Sequence, residues 1–125
     1  MIFGIGTDIV HIKRMRDSLD KYGDKFARRI LTEREFREYA NKQNKAAYLA
    51  KRFAAKEATA KAMGTGFSNG LSLHHIGVKN DEAGKPELEL LDLAKTFLQD
   101  NKIKQMHLSL ADEKDYAVAF VTLVQ

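Results

Sequence analysis

Two acidic residues lie far apart in the 125-residue chain, in surroundings that can carry chemistry. The first, Asp8, is the only charged residue in the apolar run IGTDIV at positions 5–10. Burying an unpaired carboxylate is costly, so Asp8 needs a cation, a cluster of hydrogen-bond donors or exposure at a cleft. An aspartate that is paired with an arginine, or that sits at a frayed strand end, would explain the same pattern without any chemistry.

The second acid, Glu57, belongs to the run RFAAKEATAK at positions 52–61. On a helix Phe53, Glu57 and Lys61 share one face, and a surface Glu–Lys pair is the simplest interpretation. The phenylalanine on that face, and four alanines that permit close approach of another backbone, favour a functional one. If Glu57 lies near Asp8, the two carboxylates suit magnesium together with phosphate oxygens and water. Lys61 would then neutralise charge that develops on a phosphate, or protonate a leaving oxygen.

Weaker candidates follow these two. In Gly64-Thr65-Gly66 the glycines allow backbone N–H groups to approach a phosphate, but a helix C-cap also favours glycine. Lys85-Pro86 is most simply part of a turn. The four histidines show no zinc spacing. His107 shares a predicted strand face with Ser109, where a half-buried structural histidine is an alternative to a binding role.

Composition excludes several classes of protein. The chain is 44% hydrophobic and 30% charged and has no cysteine, so disulfides and thiolate metal sites are impossible. No stretch approaches the roughly 20 apolar residues that span a bilayer. The N-terminus has no basic start of the kind that opens a signal peptide. We expect a single domain over residues 1–125, located in the cytoplasm.

Hydrophobic periodicity predicts an α+β fold in which a small, mainly antiparallel sheet packs on helices that include one long central helix. Turn and capping residues set the expected boundaries. The strands are predicted over residues 2–12, 71–79, 86–90, 106–110 and 116–124. The helices are predicted over residues 13–30 with a break at Gly23, from the Thr32/Glu35 capping box to Tyr39, and over 45–63 and 92–100.

Two further patterns concern surfaces. Period-two alternation places Gly4, Gly6 and Asp8 on one face of the first strand, which predicts an opening with an acid at its edge. The last strand is apolar on both faces, so either helices cover both sides or one face meets another subunit.

Charge is distributed unevenly along the chain. Residues 1–60 carry 14 basic and eight acidic side chains, against seven and nine in residues 61–125. The first half would attract nucleic acid, a phosphorylated cofactor, an anionic membrane or an acidic protein. A solvated basic face with no partner is equally compatible with charge alone.

Taken together, these motifs resemble one family almost from end to end. IGTDIV at 5–10, RFAAKEA at 52–58 with Lys61, GTG at 64–66, GKP at 84–86 and HLS at 107–109 are similar to the holo-[acyl-carrier-protein] synthases. These are bacterial 4′-phosphopantetheinyl transferases of fatty-acid biosynthesis. Two segments depart from the family pattern: His11 replaces a common acidic residue, and Ala111-Asp112 replace a hydroxyl residue and a histidine.

The resemblance implies a homotrimer with active sites between subunits, and transfer of 4′-phosphopantetheine from coenzyme A to a serine of apo acyl carrier protein. Adenosine 3′,5′-bisphosphate would be released. Asp8 and Glu57 would hold Mg²⁺, Glu57 would take the serine proton and Lys61 would assist the leaving group. Coenzyme A contacts are implied for Arg52, Lys61, Gly64, Thr65, Gly66, Lys85, Pro86 and His107.

The resemblance also implies a protein partner for the basic N-terminal helix. Acyl carrier protein is acidic, so Arg14, Arg28 and neighbouring basic residues would steer and dock it. No nucleic-acid partner and no membrane insertion are expected.

Two rival functions remain. A small nucleic-acid-binding module would explain the pI of about 9.3, and its binding would depend steeply on salt. The aromatic residues fall at core spacing, which disfavours it. A magnesium-dependent phosphohydrolase using the same two acids would release phosphate without a protein acceptor.

Overall fold

The structure, a computed structural model, describes all of residues 1–125. Five strands, five α-helices and one 3₁₀ turn follow one another as β1 (Ile2–His11), α1 (Ile12–Tyr22), α2 (Asp24–Ile30), α3 (Glu33–Tyr39), α4 (Lys45–Met63), the 3₁₀ turn (Leu73–His75), β2 (Ile76–Asn80), β3 (Pro86–Leu90), α5 (Asp92–Asp100), β4 (Gln105–Asp112) and β5 (Tyr116–Val124). The predicted α+β class is confirmed.

The strands form two antiparallel sheets. One has three strands in the order β1-β5-β4, and the other is the β2–β3 hairpin. Helix α4 lies against β1 and β5 on one side and contacts α1, α2, α3 and β2 on others. The long central helix therefore contacts most of the elements that form the core.

Two glycines of β1 allow α4 to approach the sheet at backbone distance. A Cβ at Gly6 would overlap the carbonyl oxygen of Ala58, and a Cβ at Gly4 would overlap that of Ala62. No larger residue fits there unless helix and strand separate. The same strand face continues to Asp8, which is thereby brought beside α4, as the alternation predicted.

Capping residues determine where α4 begins and ends. The Asn44 side chain accepts a hydrogen bond from the Ala47 amide at 3.0 Å, and Gly64 closes the helix in the left-handed conformation with φ 82°. The capping box predicted for α3 is also present, because Thr32 and Glu35 exchange hydrogen bonds. Both helices accordingly start and stop where the sequence indicated.

The strand predicted over residues 71–79 is partly wrong. The strand β2 starts only at Ile76, and the preceding residues Leu73–His75 form the 3₁₀ turn. The Ser72 hydroxyl accepts a hydrogen bond from the His74 amide and so favours a turn over an extended chain. Nearer the C-terminus, the strand predicted over residues 106–110 is longer than expected and extends over Gln105–Asp112 as β4.

The three-stranded sheet has one covered and one open face. Helix α4 covers the inner face, whereas Ile5, Ile9, Tyr116 and Phe120 are exposed on the outer face. The alternative that helices cover both faces of β5 is therefore wrong. In addition, none of the helices has the length and apolar character needed to cross a bilayer.

Candidate active site

The strand-borne acid and the helix-borne lysine are in direct contact. The Lys61 ammonium donates to Asp8 Oδ1 at 3.1 Å and to the Thr7 carbonyl at 3.0 Å. The Asp8 side chain is 17% exposed and that of Lys61 is 55% exposed, so the contact is open to solvent on the Lys61 side. Asp8 thus pairs with a lysine, not with the arginine that the simpler sequence interpretation would have supplied.

Glu57 lies one turn before Lys61 on α4 and is coupled electrostatically to the same contact. Partial burial raises the pKa of its carboxyl above the ordinary value, and the negative charge of Asp8 raises this pKa further. The positive charges of Lys61 and Arg14 act in the opposite direction on the pKa of Glu57. A raised pKa makes this carboxylate a better proton acceptor.

The chemistry of this pair fits a hard divalent cation. The charge of Asp8 disfavours ionisation of Glu57, and a cation between two such carboxylates removes this repulsion. Carboxylate oxygens are the ligands that Mg²⁺ prefers. The chain contains no group of three or more His, Cys, Asp or Glu side chains able to hold a metal ion. An ion on this pair would therefore take its other ligands from phosphate oxygens and water.

The glycine loop continues directly from this site. The Gly64 amide donates to the Lys61 carbonyl at 3.0 Å, and the Gly66 amide donates to the Ala60 carbonyl at 3.2 Å. Both glycines have positive φ and open space around them. The C-cap role considered in the sequence is thus observed, and Thr65 lies exposed between the two glycines.

Arg52 lies elsewhere, beside the β2–β3 hairpin. It is buried, donates from Nη2 to Asn80 Oδ1 at 2.9 Å and places its guanidinium 4.6 Å from the centre of the Tyr48 ring. Asn80 pairs with Pro86, which follows Lys85 in the hairpin turn. Arg52 lines a polar groove of about 360 Å³, and its Nε has no hydrogen-bond partner.

His107 is separated from the acid pair within one chain. It lies opposite Thr122 on the outer face of the sheet, whereas Asp8 lies opposite Ala119 on the inner face. One chain therefore brings Asp8, Glu57, Lys61 and the glycine loop together, but it leaves His107 and Arg52 apart from them.

Sequence reasoning missed two features near the site. Arg14, expected only to dock a partner, lies with its guanidinium 5.8 Å from the centre of the Phe53 ring and influences Glu57. Lys56, next to Glu57, forms a fully buried ion pair with Glu35. The capping box pointed to Glu35, but nothing in the sequence linked it to Lys56.

Comparison with known proteins identifies the class. The model of the 4′-phosphopantetheinyl transferase superfamily matches residues 4–121. The chain belongs to this superfamily and is an enzyme.

Individual relatives identify the family within this superfamily to which the chain is similar. The chain is 53% identical to the holo-[acyl-carrier-protein] synthase of Nitrosococcus oceani over 99% of this chain and 80% of that protein. It is 51% identical to that of Nitrosospira multiformis over 98% of each chain. The crystal structure of the synthase from Neisseria meningitidis superposes with a TM-score of 0.94 at 45% identity over both whole chains. The resemblance to holo-[acyl-carrier-protein] synthases is therefore confirmed.

One solved relative contains a nucleotide. The synthase from Bacillus anthracis, solved in complex with CoA (3′,5′-ADP), has a TM-score of 0.81 at 39% identity and covers 98% of this chain and 96% of its own.

Proposed function

We propose that this enzyme transfers 4′-phosphopantetheine from coenzyme A to a serine of apo acyl carrier protein and releases adenosine 3′,5′-bisphosphate. The reaction would depend on magnesium and serve fatty-acid biosynthesis in the cytoplasm, with residues 1–125 acting as one domain. The observation that carries the proposal is the hydrogen bond between Lys61 and Asp8, with Glu57 one turn before Lys61 on α4 and within the electrostatic influence of Asp8. The nucleotide bound by the Bacillus anthracis synthase supports the choice of co-substrate.

Asp8 and Glu57 would hold Mg²⁺, which when bound supplies positive charge to the pyrophosphate of coenzyme A. The chain's own groups perform the proton transfers. Glu57 accepts the serine proton, directly or through one water, as the serine oxygen bonds to the β-phosphorus. The bond from that phosphorus to the bridging oxygen then breaks, and the bisphosphate leaves with the electron pair. Most of the acceleration comes from positioning and charge stabilisation.

Lys61 is placed to act on the leaving group. Its half-exposed ammonium bonds the Asp8 carboxylate, so it is free on its solvent side to bond a phosphate oxygen held beside Asp8. There it neutralises the charge that develops as the phosphorus–oxygen bond breaks. The Gly64 and Gly66 amides already donate within the chain, so the adjacent loop Gly64, Thr65 and Gly66 would hold the same phosphates or the pantetheine arm through the open space at its glycines and through Thr65.

Arg52, Lys85, Pro86 and His107 complete the proposed coenzyme A contacts. The groove at Arg52 is lined by Lys42 and Lys51 and by one acid, Asp112, which pairs with Lys51 at 3.7 Å, and the excess of positive charge suits a phosphate of the nucleotide.

His107 on the outer sheet face supports a homotrimer with intersubunit active sites. In one subunit it faces away from the acids, so only a second copy seated on this face can bring a His107 to a site. The exposed residues Ile5, Ile9 and Phe120 make the face apolar, as an obligate interface requires.

Replacing Phe120 by Glu should dissociate the assembly and abolish most transfer activity, because a charge in an apolar contact loses its hydration. Leu93→Glu is the matched control, since Leu93 on α5 is also 46% exposed but lies outside the sheet. Sedimentation velocity should give the wild-type mass for the Leu93 variant and a smaller one for the Phe120 variant. A Phe120→Glu protein that sediments like wild type would contradict the interface.

Charge reversal at Arg14 and Arg28 should weaken binding of the acidic carrier protein. We expect its KM to rise about tenfold, equivalent to about 1.4 kcal/mol, with a smaller rise in the KM for coenzyme A. Lys95→Glu on α5 controls for net charge. If steady-state kinetics show a larger rise in the KM for coenzyme A than in the KM for carrier protein, the docking role of α1 and α2 is contradicted.

Replacing Glu57 by Gln should raise Tm in the absence of magnesium. Because folding raises the pKa of Glu57, its ionised form opposes folding at pH values above that raised pKa. The difference should vanish at acid pH, where the group is protonated in both the folded and unfolded states. Thermal unfolding with chelator checks this, and Glu82→Gln in an exposed turn is the control.

Magnesium should raise Tm for the wild type and for Glu82→Gln but not for Glu57→Gln, since a ligand at ten times Kd stabilises by about 1.4 kcal/mol. Equal magnesium shifts for all three proteins would argue against Glu57 as a metal ligand.

The test of the overall activity is mass spectrometry of apo carrier protein incubated with this protein, coenzyme A and magnesium. Phosphopantetheinylation should appear only with all components present. Phosphate release without carrier protein would favour the phosphohydrolase.

A further inference from the structure

Lys56 is a fully buried charged residue for which the proposed chemistry has no use. Its ammonium donates to Glu35 Oε1 at 2.7 Å, to the Leu73 carbonyl at 3.2 Å and to the Ile76 carbonyl. The three acceptors match the three donors of an ammonium group. They belong to three separate elements, namely α3, the 3₁₀ turn and β2.

Glu35 is equally buried, and both of its carboxylate oxygens accept hydrogen bonds from backbone amides. Oε1 also accepts from the Thr32 amide at 2.9 Å, and Oε2 accepts from the Val78 amide at 2.8 Å. The pair therefore connects α4 to the start of α3 and to the backbone of β2 through bonds of defined direction. A buried ion pair adds little net stability compared with apolar residues of similar volume. What it supplies here is a defined position for α4.

Lys56 immediately precedes Glu57, about 100° away around the helix. On the Glu57 side, α4 is held against β1 by the backbone contacts at Gly4 and Gly6. Those contacts involve no side chain on β1, so they do not by themselves prevent α4 from rotating about its axis. The bonds of Lys56 to α3 and β2 constrain this rotation from another side, together with those of Tyr48 to the Glu35 carbonyl at 3.1 Å and of Arg52 to Asn80 at 2.9 Å. Of these three residues, Lys56 is the one adjacent to Glu57.

We propose that Lys56, held by Glu35, is a positioning residue that sets the rotation of α4 and so directs Glu57 and Lys61 at Asp8. This role rests on the proposed transferase function. Misplacement of a reacting group by about 1 Å can cost about 100-fold in rate, so the effect falls on kcat.

The test compares Lys56→Met, the double variant Glu35→Leu/Lys56→Met, and Leu49→Ala as control. Leu49 is fully buried two turns before Lys56 on the same side of α4, so its truncation destabilises the core without removing these hydrogen bonds. The double variant replaces the pair by apolar groups and should regain stability over the single one. Tm, kcat and both KM values are measured for each variant, at a temperature where all are folded.

We expect kcat to fall tenfold or more in Lys56→Met and to stay low in the double variant even though Tm recovers. KM for the carrier protein should change less than threefold, and Leu49→Ala should keep its kcat. If kcat recovers together with Tm, the pair is merely structural and the proposal is overturned. If Lys56→Met does not fold, kcat and Tm of the double variant are compared with those of Leu49→Ala instead. A low kcat in the double variant alone supports the positioning role, and a normal kcat overturns it. Absence of transfer by the wild type would overturn the proposed function itself, whereas a normal wild type with unchanged variants overturns only the positioning role.

Discussion

Asp8→Asn is expected to lower the rate of phosphopantetheine transfer by about 1,000-fold or more, which corresponds to about 4 kcal/mol of transition-state stabilisation. The neutral amide keeps the shape of the carboxylate but loses the charge that we propose binds a cation and that holds the Lys61 ammonium at 3.1 Å. Folding should be nearly unaffected, because an ion pair with a half-exposed lysine contributes only about 0–1 kcal/mol. Single-turnover transfer, measured by mass spectrometry of the carrier protein, gives the rate.

Asp17→Asn is the matched control. It removes a carboxylate that pairs with Lys13 at 2.7 Å on exposed α1, which is the same chemical change away from the cleft. Its transfer rate at saturating carrier protein should stay within about twofold of wild type, because Asp17 lies on the proposed docking helix and its pair with Lys13 is exposed. An Asp8→Asn protein that transfers at the rate of the Asp17 variant would remove Asp8 from the site.

Gly6→Ala is expected to destabilise the protein by about 3 kcal/mol or more, at the upper end of overpacking effects. The added Cβ would overlap the Ala58 carbonyl oxygen and lie 2.7 Å from the Ala62 amide nitrogen. Both are backbone atoms of α4, so neither can move without displacing the helix. Transfer activity should fall as well, since β1 carries Asp8 and α4 carries Glu57.

Gly77→Ala tests whether the effect is specific. Gly77 is also a strand glycine, but its added Cβ would meet only ordinary contacts, the nearest at 3.4 Å from the Glu89 carbonyl oxygen. We expect a change below about 1 kcal/mol, because alanine is intrinsically favoured over glycine inside a strand. Urea unfolding at equal protein concentrations provides the comparison, and equal stabilities of the two variants would contradict the close packing of β1 on α4.

The fold was predictable wherever local chemistry decided it. The limits of α4 follow from Asn44 and Gly64, and the start of α3 follows from the capping box. The strand expected over residues 71–79 was partly wrong because the Ser72 hydroxyl and the buried Lys56 engage the backbone of the 3₁₀ turn. The hydrophobic periodicity of one segment cannot predict the hydrogen bonds that a side chain from a distant segment makes to its backbone.

The same limit applies to the site. Residue type and spacing identified Asp8, Glu57 and Lys61, but a hydrogen bond across 53 positions of sequence needs the three-dimensional structure. The burial of Arg52 and the position of His107 on the outer sheet face were likewise not readable from the motifs. Their roles in binding coenzyme A remain predictions.

The central claim is that a strand carboxylate and a helix carboxylate bind one divalent ion. Anomalous scattering from crystals grown with coenzyme A and Mn²⁺ in place of Mg²⁺ tests it most directly. We expect one strong peak with an oxygen of Asp8 and an oxygen of Glu57 both within about 2.3 Å of it. A peak held by only one of the two carboxylates, or lying away from both, would show that the two acids do not share an ion.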